Sequence, residues 1–285
     1  MNLLYAARRQ FSSLNLVYRT CALGFLLLAC TSTHQFNPAL TYPYTLTPSL
    51  IPTSTLAPTP TPADTGWLSK LPGLDRREIT IPFPALGFAE RVVLFRIDPQ
   101  SFAFRVLYAP GAPRFVAQWD RSAQLVFNAG YFDEKNAALG LLVSDGKTFG
   151  RSYEGIGGMF AVAGGAPVVR SLAAQPYRRG EPLAQAVQGF PMLIYPDGST
   201  FAKEDSVRAR RTALGQDASG KMYLVVAPHA AFTLTELARW LRDSKLGLTI
   251  AFNLDGGGST GYYAGPNDAI DSLTPIPAVV AAYSR

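Results

Sequence analysis

Hydrophobic and polar positions divide this chain into three stretches. Residues 21–29 form an apolar run, Cys-Ala-Leu-Gly-Phe-Leu-Leu-Leu-Ala, behind Arg8, Arg9 and Arg19. The run is shorter than the ~20 residues a membrane-spanning helix requires. Residues 31–66 carry neither a helical nor a strand period. From Trp67 onward, short β-prone runs alternate with turn residues. The runs 91–98 and 102–109 flank Pro99-Gln100-Ser101, and 125–128 leads into Asn128-Ala129-Gly130-Tyr131. The run 139–143 precedes Ser144-Asp145-Gly146-Lys147, a hairpin signal. Further runs fall at 159–163, 167–169, 190–195, 212–215, 222–226 and 248–253.

One helix is well signalled. Leu234, Leu237, Ala238 and Leu241 share a face at the spacing i, i+3, i+4, i+7. Thr233 and Glu236 stand as a capping box at its start, and Gly247 stands as its C-cap. Strands outnumber helices and mostly join through hairpins. The expected class is therefore α+β: a strand-rich single domain of mixed or antiparallel sheets, flanked by a few helices.

Composition assigns the flanks. Leu27-Leu28-Ala29-Cys30 resembles a bacterial lipobox, which makes 1–30 a lipoprotein signal segment with Cys30 as the lipidated residue. A plain cleaved signal peptide is the alternative. Residues 31–66 hold ten Thr, seven Pro and one acid, Asp64, and are expected to be a disordered, semi-rigid tether. The 219 residues from 67 to 285 suffice for one domain with a full core. The expected location is the bacterial cell envelope, exported and anchored in the membrane by lipid.

Charge and scarce residue types narrow the chemistry. The net charge of +6 falls to 23 basic against 20 acidic groups once the leader is removed. No basic run is interleaved with aromatics, so nucleic acid is not an expected partner. Both cysteines, Cys21 and Cys30, lie in the leader, and the domain holds one His, His229. Thiol catalysis and a His- or Cys-rich zinc site are thereby excluded. Gly257-Gly258-Ser259-Thr260-Gly261 fits G-x-S-x-G, but neither a helix nor a His follows it, as a nucleophile elbow needs.

The stretch 248–259 then stands out. A buried strand would deliver Asp255 to the edge of a core, with Gly256, Gly257 and Gly258 letting backbone N–H groups approach a ligand. A plain glycine-rich turn is the other reading. Asp255 with neighbouring carbonyls could also hold Ca²⁺ or Mg²⁺, and no cofactor is otherwise indicated. Carboxylates suit glycoside chemistry. In Arg208-x-Arg210-Arg211, a solvated loop end is favoured for Arg208 and Arg210. Arg211, beside a strand, has the fork geometry that suits phosphate.

Four stretches together resemble the phosphodiester glycosidase family. They are Asn128-Ala129-Gly130-Tyr131-Phe132 with 140–146, Gly189-Phe190-Pro191, Arg211-Thr212-Ala213-Leu214-Gly215, and Asn253-Leu254-Asp255-Gly256-Gly257-Gly258-Ser259. The resemblance covers most of 125–265. Animal members carry a His after the arginine motif, where Gln216 stands here, and Asn-Gly-Gly where this chain has Asn128-Ala129-Gly130. These departures bear on which sugar is taken.

The resemblance implies hydrolysis of the glycosyl–phosphate bond in a sugar-1-phosphodiester. Asp255, Arg211 and Asn128 would be the catalytic set. Asp255 would act at the anomeric carbon or hold a cation, Arg211 would hold phosphate, and Asn128 would bind sugar hydroxyls or orient Asp255. Tyr131, Thr212, Gly256, Gly257, Gly258 and Ser259 would bind substrate. Asp133 and Glu154 are the candidates if a second carboxylate is needed. The rival readings are a glycosidase of the same fold acting on glycans without phosphate, and a lipid-anchored glycan-binding module without turnover.

Overall fold

The computed structural model describes residues 63–285. The leader, Cys30 and the tether up to residue 62 lie outside the described residues. Among the described residues, seventeen strands make three sheets, and every pairing is antiparallel. The large sheet orders β1 (Leu68–Leu71), β2 (Leu74–Phe83), β3 (Phe88–Ile97), β13 (Met222–Ala227), β12 (Arg211–Asp217), β14 (Leu248–Asn253) and β11 (Met192–Ile194). A second sheet orders β7 (Lys147–Phe149), β6 (Leu142–Ser144), β10 (Gln185–Gly189), β8 (Gly158–Ala163) and β9 (Ala166–Ser171). The third orders β16 (Ala269–Ile270), β15 (Tyr262–Tyr263), β5 (Leu125–Asn128), β17 (Ala278–Ser284) and β4 (Phe102–Tyr108).

The expected class needs correction toward β. Among the described residues there is one α-helix, α1 (Leu234–Asp243), with three single turns of 3₁₀, and no sheet is mixed. The capping box forms as expected: Glu236 N–H donates to Thr233 Oγ1 at 3.2 Å, and Thr233 N–H donates to Glu236 Oε2 at 3.0 Å. The helix ends three residues before Gly247, at the Ser244 cap, because Lys245 already turns left-handed at φ 57°. Residues 63–66, placed in the tether by composition, run beside β2. Asp64 bridges Ile79 and pairs with Arg77.

Strand periodicity explains the layering. In β13, Met222, Leu224 and Val226 face the central core, while Tyr223, Val225 and Ala227 face a second core beneath α1. Buried on both faces, β13 reads as an unbroken apolar run. The central core draws on all three sheets, through Phe95, Phe127, Phe160, Phe252 and Val280. Packing there is close enough to dictate glycine. A Cβ on Gly158 would lie 2.4 Å from Phe252 Cβ and Cγ. Gly158→Ala should cost about 1–3 kcal/mol by overpacking, read as a lowered urea midpoint. An unchanged midpoint would contradict this packing.

Candidate active site

The chain leaving β14 threads a seam between the large sheet and the third sheet. Leu254 N–H donates to Thr212 O at 2.9 Å, and Asp255 N–H donates to Ala129 O at 3.1 Å. Asp255 is thus fixed by β12 on one side and by the end of β5 on the other. Gly256 follows because its Cβ position lies 2.8 Å from the Arg210 carbonyl oxygen, which a side chain could not tolerate. The Asp255 carboxylate accepts from Gly256 N–H at 2.9 Å and from the Ser259 hydroxyl. Burial nevertheless dominates and pushes its pKa up to about 6.

Two phenols, Tyr131 and Tyr153, lie near that carboxylate, and Arg211 lies near the first of them. The Tyr131 hydroxyl donates to Phe190 O at 2.7 Å and accepts from Asn253 Nδ2 at 2.7 Å. Burial, then the charge of Asp255, pushes this phenol upward, while Arg211 opposes the shift. Tyr153 is pushed up to about 12 by burial and then by Asp255. Both phenols therefore stay protonated across the physiological range. Tyr153 is held from behind: its N–H donates to Gln188 Oε1 at 2.8 Å, and Gln188 Nε2 reaches Ser152 Oγ at 2.8 Å. Gly140 leaves the space, since its Cβ would meet the Tyr153 ring at 2.8 Å. Sequence reading missed Tyr153 and Gln188. The only available signal was Gln188 standing directly before the Gly189-Phe190-Pro191 motif.

The structure redistributes the expected roles. Asn128, expected to be catalytic, is fully buried and saturated. Its Oδ1 accepts from Thr212 Oγ1 at 2.7 Å and from Gly261 N–H at 3.2 Å, and its Nδ2 donates to Asp255 O at 2.8 Å. It orients the Asp255 backbone and does not reach a sugar. Thr212, expected to bind substrate, is fully buried against Asn128. Ser259 is buried and turned to Asp255.

The expected trio of glycine donors also shrinks. Gly256 N–H serves Asp255, and Gly257 N–H donates to Arg210 O at 2.8 Å. Among the described residues, only the Gly258 N–H of the three has no acceptor. Arg211 offers one nitrogen instead of a fork, because Nε donates to Phe232 O at 3.2 Å and Nη2 to Val207 O at 2.5 Å. Burial pulls its pKa below the usual guanidinium value.

Other candidates fall outside the cluster. Arg208 pairs with Glu236. Arg210 is no solvated loop residue: it is buried, donates from Nη2 to Asp271 O at 2.9 Å, and leaves Nε and Nη1 without partners among the described residues. Asp133 caps its own turn through Lys135 and Ala137 N–H, and Glu154 is exposed. Gln216 bridges Val169 N–H and Gly220 O. It lies five residues along β12 from Arg211, roughly 16 Å away, so this departure does not touch the site. Among the described residues, no group of three His, Cys, Asp or Glu side chains could hold a metal. His229 bonds Glu90, and Ser259 bonds Asp255, so neither is partnered with the other.

The arrangement is one carboxylate that is ionised above about pH 6, two protonated phenols, and one arginine nitrogen without a hydrogen-bond partner among the described residues, on a guanidinium whose Nη2 lies 3.9 Å from the Asp205 carboxylate. It can stabilise or accept positive charge at one point and hold an anion beside it.

A family model described as phosphodiester glycosidase matches residues 121–282. Among solved structures, the chain is similar to the zebrafish N-acetylglucosamine-1-phosphodiester alpha-N-acetylglucosaminidase catalytic domain, auto-inhibited by its pro-peptide. The TM-score there is 0.58 at 20% identity, over 80% of this chain and 89% of that one. A hypothetical protein from Synechocystis gives 0.54 at 17% identity, over 77% and 63%. A putative exported protein from Burkholderia pseudomallei gives 0.50 at 15% identity, over 68% and 74%. At these identities the likeness is one of fold. None of the curated protein sequences matches the chain.

Proposed function

The chain belongs to the phosphodiester glycosidase family, and from that premise we propose that it hydrolyses the glycosyl–phosphate bond of a sugar-1-phosphodiester in an envelope or extracellular glycan. The observation that carries this reading is the Asp255 carboxylate, desolvated and flanked by the Tyr131 and Tyr153 phenols, with Arg211 beside Tyr131. Water attacks the anomeric carbon, the bond from that carbon to the phosphate oxygen breaks, and the phosphate leaves with the electron pair. Asp255 takes the water's proton or stabilises the positive charge that develops on the sugar. Phosphate is a good leaving group, so a second carboxylate as strong general acid is not required. The remaining Arg211 nitrogen and the Gly258 N–H hold the phosphate as its charge grows. Tyr153, protonated at neutral pH, donates to a sugar or phosphate oxygen.

The protein acts, on this reading, outside the cytoplasm, tethered by lipid at Cys30. The test is release of free sugar from a panel of sugar-1-phosphodiesters, with and without a chelator. Arg211→Lys should lower kcat/KM on the best diester by about 10- to 100-fold, because an ammonium cannot keep the Phe232 and Val207 carbonyls and face the phosphate at once. Sugar binding without turnover on every diester would assign the chain to glycan recognition instead. Mass spectrometry of the mature N-terminus should show lipid on Cys30, and an unmodified terminus elsewhere would overturn the anchor.

A further inference from the structure

Five loops that lead to the site each carry an exposed apolar residue: Leu139, Ile156, Phe190, Val207 and Leu273. Four are hydrogen-bonded through their backbone to a site residue, and the fifth, Ile156, adjoins Phe190. Leu139 N–H donates to Tyr131 O at 3.0 Å. The Phe190 carbonyl takes the Tyr131 hydroxyl and Asn253 Nδ2. Ile156 precedes Gly157, whose Cβ position lies 3.6 Å from Phe190 Cβ. The Val207 carbonyl takes Arg211 Nη2, and Leu273 N–H donates to Gly258 O at 2.7 Å. Leu273 is 68% exposed and Ile156 53%.

Single exposed apolar residues need no explanation, but a set on the loops of one site does. A rim of Leu, Ile and Val side chains offers sugar hydroxyls no hydrogen bond. Charge fixes which part of a substrate would meet this one. The phosphate ligands of the reading above are Arg211 and Gly258. Val207 and Leu273 are each one hydrogen bond from those two residues. The group esterified to the far side of the phosphate therefore leaves the site over apolar side chains.

We propose that the substrate is a sugar-1-phospholipid, in which the second phosphate ester is to a long-chain alcohol and the apolar rim receives the first segment of that chain. This rests on the hydrolytic reading and sharpens its substrate class. Reaction releases the free sugar and the alkyl phosphate.

The experiment uses the full chain and α-N-acetylglucosaminyl and α-glucosyl 1-phosphates esterified with methyl, hexyl or decyl alcohol, each below its micelle concentration. kcat/KM should rise about tenfold or more from methyl to decyl, chiefly through KM, as methylenes leave water. The Ile156→Ser/Leu273→Ser double variant should flatten that rise. Decyl phosphate should inhibit at least about tenfold better than methyl phosphate. Sugar release with no dependence on chain length would overturn the lipid substrate and leave the hydrolytic reading standing. No release from any ester would overturn both. Binding to phosphatidylglycerol vesicles that hold no sugar phosphodiester, lost in the double variant and accompanied by a flat ester series, would assign the rim to membrane docking and overturn the proposal.

Discussion

Asp255→Asn should abolish sugar release from a sugar-1-phosphodiester, with kcat/KM down about 10²–10⁴-fold, while leaving a protein that is harder to unfold at neutral pH. Both halves follow from one observation. The Asp255 carboxyl is enclosed at the seam between two sheets, and burial raises its pKa to about 6 against the pull of Ser259 and Gly256. The unfolded carboxyl titrates near its ordinary value of about 4. Between those values the folded state keeps a proton that the unfolded state has lost. Stability from this group is complete below about pH 4 and is lost as pH rises through about 6. The amide of the Asp255→Asn variant cannot ionise and still offers an oxygen to Gly256 N–H. The variant should gain about 1–3 kcal/mol over the parent at pH 8 and nothing at pH 4, seen as a Tm advantage of a few degrees that vanishes in acid. In the parent, kcat/KM should rise through a limb near pH 6. A variant with full activity, or one less stable than the parent at pH 8, would remove Asp255 from its role.

Asn128→Ala should be the most damaging single change to the frame, at about 3–5 kcal/mol. The side chain is fully buried and makes three hydrogen bonds shorter than 3.3 Å. Removing it strands the Thr212 hydroxyl, the Gly261 N–H and the Asp255 carbonyl, each worth about 1–3 kcal/mol when buried and unpaired. Urea unfolding should show the loss. Thr212→Val is the useful companion, since it deletes only the donor to Asn128 Oδ1 and should cost about 1–2 kcal/mol. If Asn128→Ala folds with parental stability and loses only activity, Asn128 belongs to substrate contact after all.

The contrast between these two residues shows what was legible in the sequence. Asp255 was legible, because a carboxylate between an apolar strand and three glycines has two readings, a turn or a site, and the motifs around Asn128 and Arg211 favoured the site. Asn128 stood in an equally suggestive motif, yet its partners come from β12 and from Gly261, far away in sequence. A polar residue in a motif looks the same whether it meets a ligand or a buried hydroxyl. Tyr153 was invisible for a related reason: its place depends on the buried amide of Gln188, and nothing around it is periodic. The helix was legible because its cap, its apolar face and its acidic first turn are all local. Strand β2 was not, because Asp75, Arg76, Arg77 and Glu78 break its pattern, and only the fold shows them paired with Arg96, Asp268, Asp64 and one another. The expectation of several helices failed for want of more segments like α1. The chain instead covers the core with short strands from three sheets.

Strand β17 has a consequence for when the site comes into being. It lies between β5 and β4, paired with β4 along its whole length and with β5 from Val279 to Ala282. Asn128 ends β5, so the residue that fixes the Asp255 backbone depends on a neighbour made from residues 278–284. Its other partner, β4, begins at Phe102, so closing the third sheet joins segments about 170 residues apart, among the slower events in folding. A growing chain therefore carries the side chains of the proposed site before it has the last strand of the frame that aims them. The seam that holds Asp255 is complete only once the third sheet has closed.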